Sequence, residues 1–460
     1  MQFIENKTFD EIEIGQSAAT TRLLRKEDIL LFAAVSGDIN PTHVDEAYAK
    51  TDNFQHVVGH GMWSAALISA VLGTQLPGPG TIYLRQSLEF RHPVALGDEI
   101  TAHVTVREKD PAKKTLILAC ECRNQRDAVV TEGCAEVIAP TEKIRRPRVA
   151  PMSVQVYASG ARHQQLIEAA GKFPPMRTAV VHPCDELSLS GALDARDAKL
   201  IEPVLVGPRA KIMKAAAESG LAIDQLEIID VPHSHAAAEK AVELARNGYV
   251  VALMKGSLHT DEIMTAVVAH DSGLRTERRM SHVFALDVPT YPKTLFVTDA
   301  AINIAPTLEE KHDIVRNAID LCHALGIDTP KVALLSAVET VEASIPSTLD
   351  AAALCKMAER GQIQGALLDG PLAFDNAISK DAAAEKHIVS EVSGDADILV
   401  VPNIEAGNIL AKQLIYLAGA DAAGIVLGAR TPIILTSRAD KASARVASCA
   451  LARLFVQHSA

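Results

Sequence analysis

Residues 60–72 read as a helix with almost no polar side. Met62, Ala65, Ala66, Leu67, Ala70 and Leu72 carry apolar groups around most of its circumference. A helix of that kind must be enclosed by other elements. Four segments that follow can enclose it. Residues 82–92, 99–107, 114–123 and 128–138 all read as strands. Turn residues separate them, at His92-Pro93, Gly97-Asp98, Asp110-Pro111 and 124–127. Such short connections between consecutive strands predict an antiparallel meander. A shorter helix is expected over 26–36.

The expected fold of residues 1–140 is therefore α+β, one helix wrapped by an antiparallel sheet, which is the hot-dog architecture. A basic, Pro-bearing stretch without periodicity follows, and residues 141–160 are expected as a semi-rigid linker. From about Met176 the pattern changes. Apolar runs at 178–181, 204–206, 226–231, 249–254, 294–297, 332–335, 366–368, 398–401 and 424–427 read as buried strands. Helical patterns at 235–246, 309–325 and 349–360 lie among them. Strands alternating with helices predict parallel α/β sheets. Residues 161–460 are too many for one ordinary sheet, so two α/β lobes with a cleft are expected.

A length of 460 residues requires more than one core. The formal charge of −12 argues against nonspecific contact with nucleic acid or an anionic membrane. The seven cysteines are odd in number and show no C-x-x-C spacing, which argues against a disulfide framework or a zinc site. The start, MQFIENKTFDEIEIG, shows no signal peptide, and no uncharged apolar run is long enough to span a bilayer. A soluble, cytoplasmic protein is expected.

Chemistry enters first at Gly37-Asp38-Ile39-Asn40-Pro41-Thr42-His43, followed by Gly59-His60-Gly61-Met62 at the helix start. Hydrating a 2-enoyl thioester requires a base for water, a proton for C2 and a donor to the thioester oxygen. Asp38 and His43 offer the first two. The Gly61 amide, at a helix N-terminus, offers the third. Alone, an Asp-x4-His would read as a turn residue and a structural polar group. These segments stand in order with Tyr83-Leu84-Arg85-Gln86-Ser87-Leu88-Glu89-Phe90 and Pro93-Val94-Ala95-Leu96-Gly97-Asp98. In that combination they resemble the MaoC-like family of (R)-specific enoyl-CoA hydratases. The resemblance implies a hot-dog fold, a dimer, catalysis by Asp38 and His43, and Gly61 as oxyanion donor. It also places Ser69 where the family often carries an active-site serine.

A second chemistry stands near the C-terminus. Val401-Pro402-Asn403-Ile404-Glu405-Ala406-Gly407-Asn408 lies between a strand and a helix, where parallel sheets bind ligands. Thr436-Ser437-Arg438-Ala439-Asp440 follows another strand and precedes the last helix. Ser437, Arg438 and helix amides can cradle phosphate. Arg275, Arg278 and Arg279 form a further cationic cluster. With Lys255-Gly256 and Asp369-Gly370-Pro371-Leu372-Ala373-Phe374-Asp375, these segments resemble the phosphate acetyltransferase/phosphate butyryltransferase family.

That resemblance implies two α/β lobes and reversible transfer of an acyl group between CoA and phosphate, with Ser437 and Arg438 on the phosphate. The acetyl branch carries an aspartate seven residues after its serine; here that place is Ala444, and the available carboxylate is Asp440. No metal and no tightly bound cofactor is expected. The expected partners are acyl-CoA, CoA, and phosphate or acyl phosphate, with a second copy of the chain.

The expected function is thus a bifunctional enoyl-CoA hydratase and phosphate acyltransferase. A different class keeps the hot-dog segment as a non-catalytic dimerisation or acyl-CoA-binding module. A two-lobed dehydrogenase is a third reading, weakened because no Gly-x-Gly-x-x-Gly follows a strand.

Overall fold

The computed structural model describes residues 3–147, 160–270, 273–436 and 442–459. The chain divides into two compact units, residues 1–156 and 157–460.

In the first unit the strands are β1 (Phe3–Glu5), β2 (Ser17–Leu23), β3 (Ile82–Phe90), β4 (Glu99–Asp110), β5 (Thr115–Asn124), β6 (Val129–Ile138) and β7 (Arg145–Pro147). Five of them form one antiparallel sheet in the order β2-β4-β5-β6-β3. The period of two is visible in β4, where Ile100, Ala102, Val104 and Val106 are all buried, and in β5, where Leu116, Leu118, Cys120 and Cys122 are. The central helix, Gly61–Thr74, lays Trp63, Leu67, Ile68, Val71 and Leu72 into this core. Each such side chain contributes about 1.5–3 kcal/mol on burial.

The meander expectation needs one correction. β3 pairs with β6, not with its sequence neighbour β4. A strand has two edges, and those of β4 are taken by β5 and by β2. A second correction concerns enclosure of the central helix. Within the chain only one face is buried; Met62, Ala66, Ser69, Ala70 and Gly73 are exposed. The third concerns the stretch expected as linker. Residues 145–147 form β7, paired antiparallel with β1, and Asn6 bonds both Glu142 O and Ile144 N. The first unit thus holds residues 141–147 by backbone pairing.

The second unit contains β8 (Met176–Val181), β9 (Ile201–Gly207), β10 (Glu227–Asp230), β11 (Ala252–Lys255), β12 (Ser281–Asp287), β13 (Leu295–Thr298), β14 (Lys331–Leu335), β15 (Leu367–Leu372), β16 (Ile398–Val400), β17 (Asp421–Leu427) and β18 (Ile433–Ile434). They form one sheet in the order β10-β9-β8-β11-β18-β17-β12-β13-β16-β14-β15. The first five strands of that order are mutually parallel, and so are the last four. A single sheet thus carries both parallel flanks, where residues 161–460 were expected to exceed one sheet, and the flanks run in opposite directions. β17 and β12, antiparallel to each other and to their outer neighbours, reverse the sense between them.

All nine apolar runs are strands. β12 was not expected, because the hairpin from β12 to β13 breaks the strand–helix alternation on which the reading relied. The helices that cover the sheet begin where capping side chains allow. Thr307 and Glu310 form a capping box ahead of Leu308–Ala324, and Asn403 accepts from Ala406 N at the start of Ile404–Tyr416. No helix among the described residues is long and apolar enough to cross a membrane.

Candidate active sites

In the first unit, the helix Lys26–Ser36 ends at Gly37, whose φ of 77° is the left-handed conformation that stops a helix. The chain turns there and presents Asp38. Ser36 Oγ accepts from Asp38 N at 3.2 Å, and Asp38 Oδ1 accepts from Asn40 N at 3.3 Å. Asn40 then caps the short helix Pro41–Val44, with Pro41 in its first turn, and so places His43. His43 Nδ1 lies 2.8 Å from Val58 O. A carbonyl accepts only, so Nδ1 carries a proton toward Val58 O, and Nε2 is the ring nitrogen left to a substrate.

These turns bring two distant pieces together. One side-chain atom from each of Asp38, His43 and His60 lies within 4.8 Å of the other two. His60 is buried, its Nε2 donates to Asp38 O at 2.9 Å, and its ring centroid lies 4.0 Å from that of His43. Gly61 is the first residue of the central helix, so its N–H has no partner inside that helix. A cavity of about 330 Å³ opens beside His43, lined by Ile29, Leu30, Val57 and Leu96, with Lys26 and Lys50 among its polar residues. Ser69 is exposed and stands two turns further along the helix, about 12 Å from Gly61 at 1.5 Å per residue. Within the chain it does not join the Asp38–His43 cluster.

In the second unit, Ser437, Arg438 and Asp440 lie outside the described residues. The approach to them is described. β18 runs parallel to β11, and Thr436, just beyond it, is buried and accepts from Arg445 Nη1 at 3.1 Å. Arg275, Arg278 and Arg279 share a cavity of about 550 Å³ with Glu309, Glu310 and Asp313. Arg278 is spent on Asp320, while Arg279 bonds Asn303 Oδ1 at 2.7 Å and pairs with Glu310 at 3.3 Å. Arg275 has no side-chain partner among the described residues, and its backbone bridges to Ala429 in the turn that precedes β18. The structure therefore leaves Arg275 available to an anion and commits Arg278 to a carboxylate.

Asn408 Nδ2 donates to Ala300 O at 3.3 Å, which ties the helix Ile404–Tyr416 to the turn after β13. Gly407 permits this approach, since a Cβ there would stand 2.7 Å from Asp299 O. Asp299 itself is buried and accepts from the amides of Ala301, Ile302 and Asn303. Asn303 Nδ2 bonds both Asp299 and Met280 O. The chain Arg279–Asn303–Asp299 thus frames the edge where Asn408 sits. Asp299 and Asn303 went unread in the sequence. Their signal was position, in the turn that follows β13, at a strand end where ligand-side residues gather.

Burial sets the character of the thiols. It pushes Cys120 up to about 11 and Cys122 to about 12, so both stay protonated and inert. All seven cysteines are free.

Residues 234–453 match the family described as Phosphate acetyl/butaryl transferase, and residues 8–119 match the MaoC like domain. Over 298 residues, 65% of this chain and 94% of the relative, the sequence is 62% identical to the phosphate acetyltransferase of Rhizobium meliloti. The solved branched-chain phosphotransacylase from Enterococcus faecalis is 30% identical, with a TM-score of 0.55 over 62% of this chain and 99% of that one. The solved R-hydratase PhaJ1 from Pseudomonas aeruginosa is 44% identical over 34% of this chain and 99% of that one, with a TM-score of 0.33.

Proposed function

We propose, from the premise that this chain belongs to the phosphate acetyl/butaryl transferase family and carries a MaoC like domain ahead of it, that it is a bifunctional enzyme of acyl-CoA chemistry. The second unit transfers an acetyl or butyryl group between CoA and phosphate. The first hydrates a 2-enoyl-CoA to an (R)-3-hydroxyacyl-CoA.

The observation that carries the hydratase reading is the meeting of Asp38, His43 and His60 at the start of the central helix, whose first residue is Gly61. Asp38 accepts a proton from water, the oxygen adds to C3, and His43 delivers a proton to C2. The Gly61 N–H bonds the thioester oxygen as negative charge grows on it. The largely apolar cavity beside His43 fits an acyl chain.

In the transferase, a phosphate oxygen attacks the thioester carbonyl and the C–S bond breaks. Ser437 and Arg438 hold the phosphate, Arg275 adds a positive charge that no described residue pairs, and Asp440 is the carboxylate the sequence offers three residues after Ser437. CoA thioesters and phosphate enter as substrates, and no metal or resident cofactor is invoked. Seven free thiols fit a reducing, cytoplasmic setting.

One observation favours the second reading, a dimerisation module. β3 is an edge strand, and Ile82, Leu84 and Phe90 on it are exposed, as is Met62 on the helix. An unpaired apolar edge suits a second copy of the chain. The readings part in one assay. Crotonyl-CoA absorbance should fall with the wild type and persist with Asp38→Asn; a wild type that leaves it unchanged points to the module. Phosphate-dependent thiol release from acetyl-CoA or butyryl-CoA should vanish with Arg438→Ala, and its survival would remove the cradle.

A further inference from the structure

The parallel flank β10-β9-β8-β11-β18 contains a reversal of strand order. From β8 the chain moves outward to β9 and β10, then returns to the other side of β8 as β11. In open α/β sheets, ligands sit beyond the carboxyl ends of the strands at such a switch point. The residues that follow β8 and β11 are His182 and Gly256-Ser257.

The corner they form is tight. Gly256 N donates to Val181 O at 2.9 Å and Ser257 N to His182 O at 3.0 Å. A Cβ on Gly256 would lie 2.4 Å from Val181 O, so only glycine permits the approach. His182 has a φ of 54°, although Pro183 follows it, and residues before proline are driven toward extended backbone. Strain of this kind concentrates at functional sites.

The hydrogen bonds fix the tautomer. Ser257 Oγ donates to His182 O at 2.8 Å and accepts from Cys184 N at 3.0 Å. Its remaining contact, with His182 Nδ1 at 3.4 Å, must therefore be received from the ring. Nδ1 carries the proton, and Nε2 keeps a lone pair that no described residue occupies. β18 lies next to β11, with Met254 opposite Ile434, so its carboxyl end is on the same edge. Two strand spacings, about 10 Å, separate the backbones of β8 and β18.

The geometry points to His182 as the proton-transfer residue of the exchange between CoA and phosphate, an assignment that rests on the transferase function proposed above. A hydroxyl oxygen of hydrogen phosphate attacks the thioester carbonyl; the C–O bond forms and the C–S bond breaks. His182 Nε2 takes the proton from that hydroxyl and returns it to the departing thiolate. The products are acyl phosphate and the CoA thiol, and the imidazole ends as it began. Burial and the Lys211 ammonium hold the ring below its ordinary value, against the pull of Glu262 and Asp185. The base is then neutral at pH 7.

The test is the pH profile of kcat/KM for phosphate-dependent thiol release, in the full chain. The wild type should lose activity on an acid limb centred below pH 6.5. His182→Asn, which tolerates a left-handed backbone, should lower kcat roughly 10²–10³-fold and flatten that limb. KM for phosphate should stay within about threefold of wild type. Added imidazole should restore rate to His182→Gly, and Asp440→Asn should keep the limb. A wild type without an acid limb overturns the assignment, as does a limb that survives in His182→Asn or disappears in Asp440→Asn. A wild type that releases no thiol with phosphate defeats the transferase reading itself, and this assignment with it.

Discussion

His60 Nε2 donates to the backbone carbonyl of Asp38 across 2.9 Å. The two residues lie on opposite sides of the loop that carries His43, and this bond closes it. The buried His60 ring then lies against His43. Its chemistry is positional: it sets where the Asp38 carboxylate and the His43 imidazole can be.

Replacing His60 should therefore act through geometry. His60→Ala is expected to reduce kcat for crotonyl-CoA hydration by about 10²-fold, since a displacement near 1 Å can do so. His60→Gln, which keeps a donor, should recover much of the loss. Equal rates in His60→Ala and wild type would remove the positional role.

The Gly61 amide can be deleted without breaking the helix. Proline is tolerated at the first helical position, and His60 already has φ −62° and ψ 135°, the extended form that proline demands of its predecessor. A Cβ at Gly61 would meet the Phe90 ring at 3.1 Å, so room must be made. Gly61→Pro combined with Phe90→Ala should lower hydration roughly 10²–10³-fold relative to Phe90→Ala alone. Unchanged kcat would show that the amide does not hold the thioester oxygen.

Arg275 and Arg278 should separate cleanly. Arg275 has no carboxylate partner among the described residues, so Arg275→Ala should raise KM for phosphate or CoA by about tenfold, the loss of one exposed charge contact, with little change in Tm. Arg278→Ala strands Asp320 and should reduce stability by up to about 1 kcal/mol, with KM nearly unchanged. The reverse pattern in kinetics and calorimetry would invert the roles.

His163 gives the second unit an acid sensitivity. It is buried, its Nε2 has no hydrogen-bond partner among the described residues, and burial holds it below its ordinary 6.5 despite Asp421 and Asp287. The unfolded chain therefore binds a proton at a pH where the folded chain does not. The stabilisation is complete above the unfolded value and is lost as pH falls through it toward the folded one. Each unit of depression is about 1.4 kcal/mol. Thermal unfolding of the wild type should weaken from pH 7 to 5, and His163→Leu should show a shallower dependence. Parallel curves would exclude His163 as the source.

Much of this architecture is legible along the chain. The helix Lys26–Ser36 lies where its pattern placed it, and the expected apolar runs of the second unit all became strands. Asp38 and His43 could be picked out because the turn residues around them, Gly37, Asn40 and Pro41, act over one or two positions. Asp299 and His182 could not, since each is one polar residue after an apolar run. Only the sheet reveals that such a residue stands beside the end of another strand.

Periodicity and turn chemistry act within a few residues, so element types, their order and the change of fold class near residue 141 are written locally. Partner choice is not. That β3 lies against β6, that β12 reverses the sense between two parallel flanks, and that His60 reaches Asp38 all depend on which distant segments close loops together. Those closures are settled by competition among edges and buried faces across the whole unit, a long-range balance that no short window of residues contains.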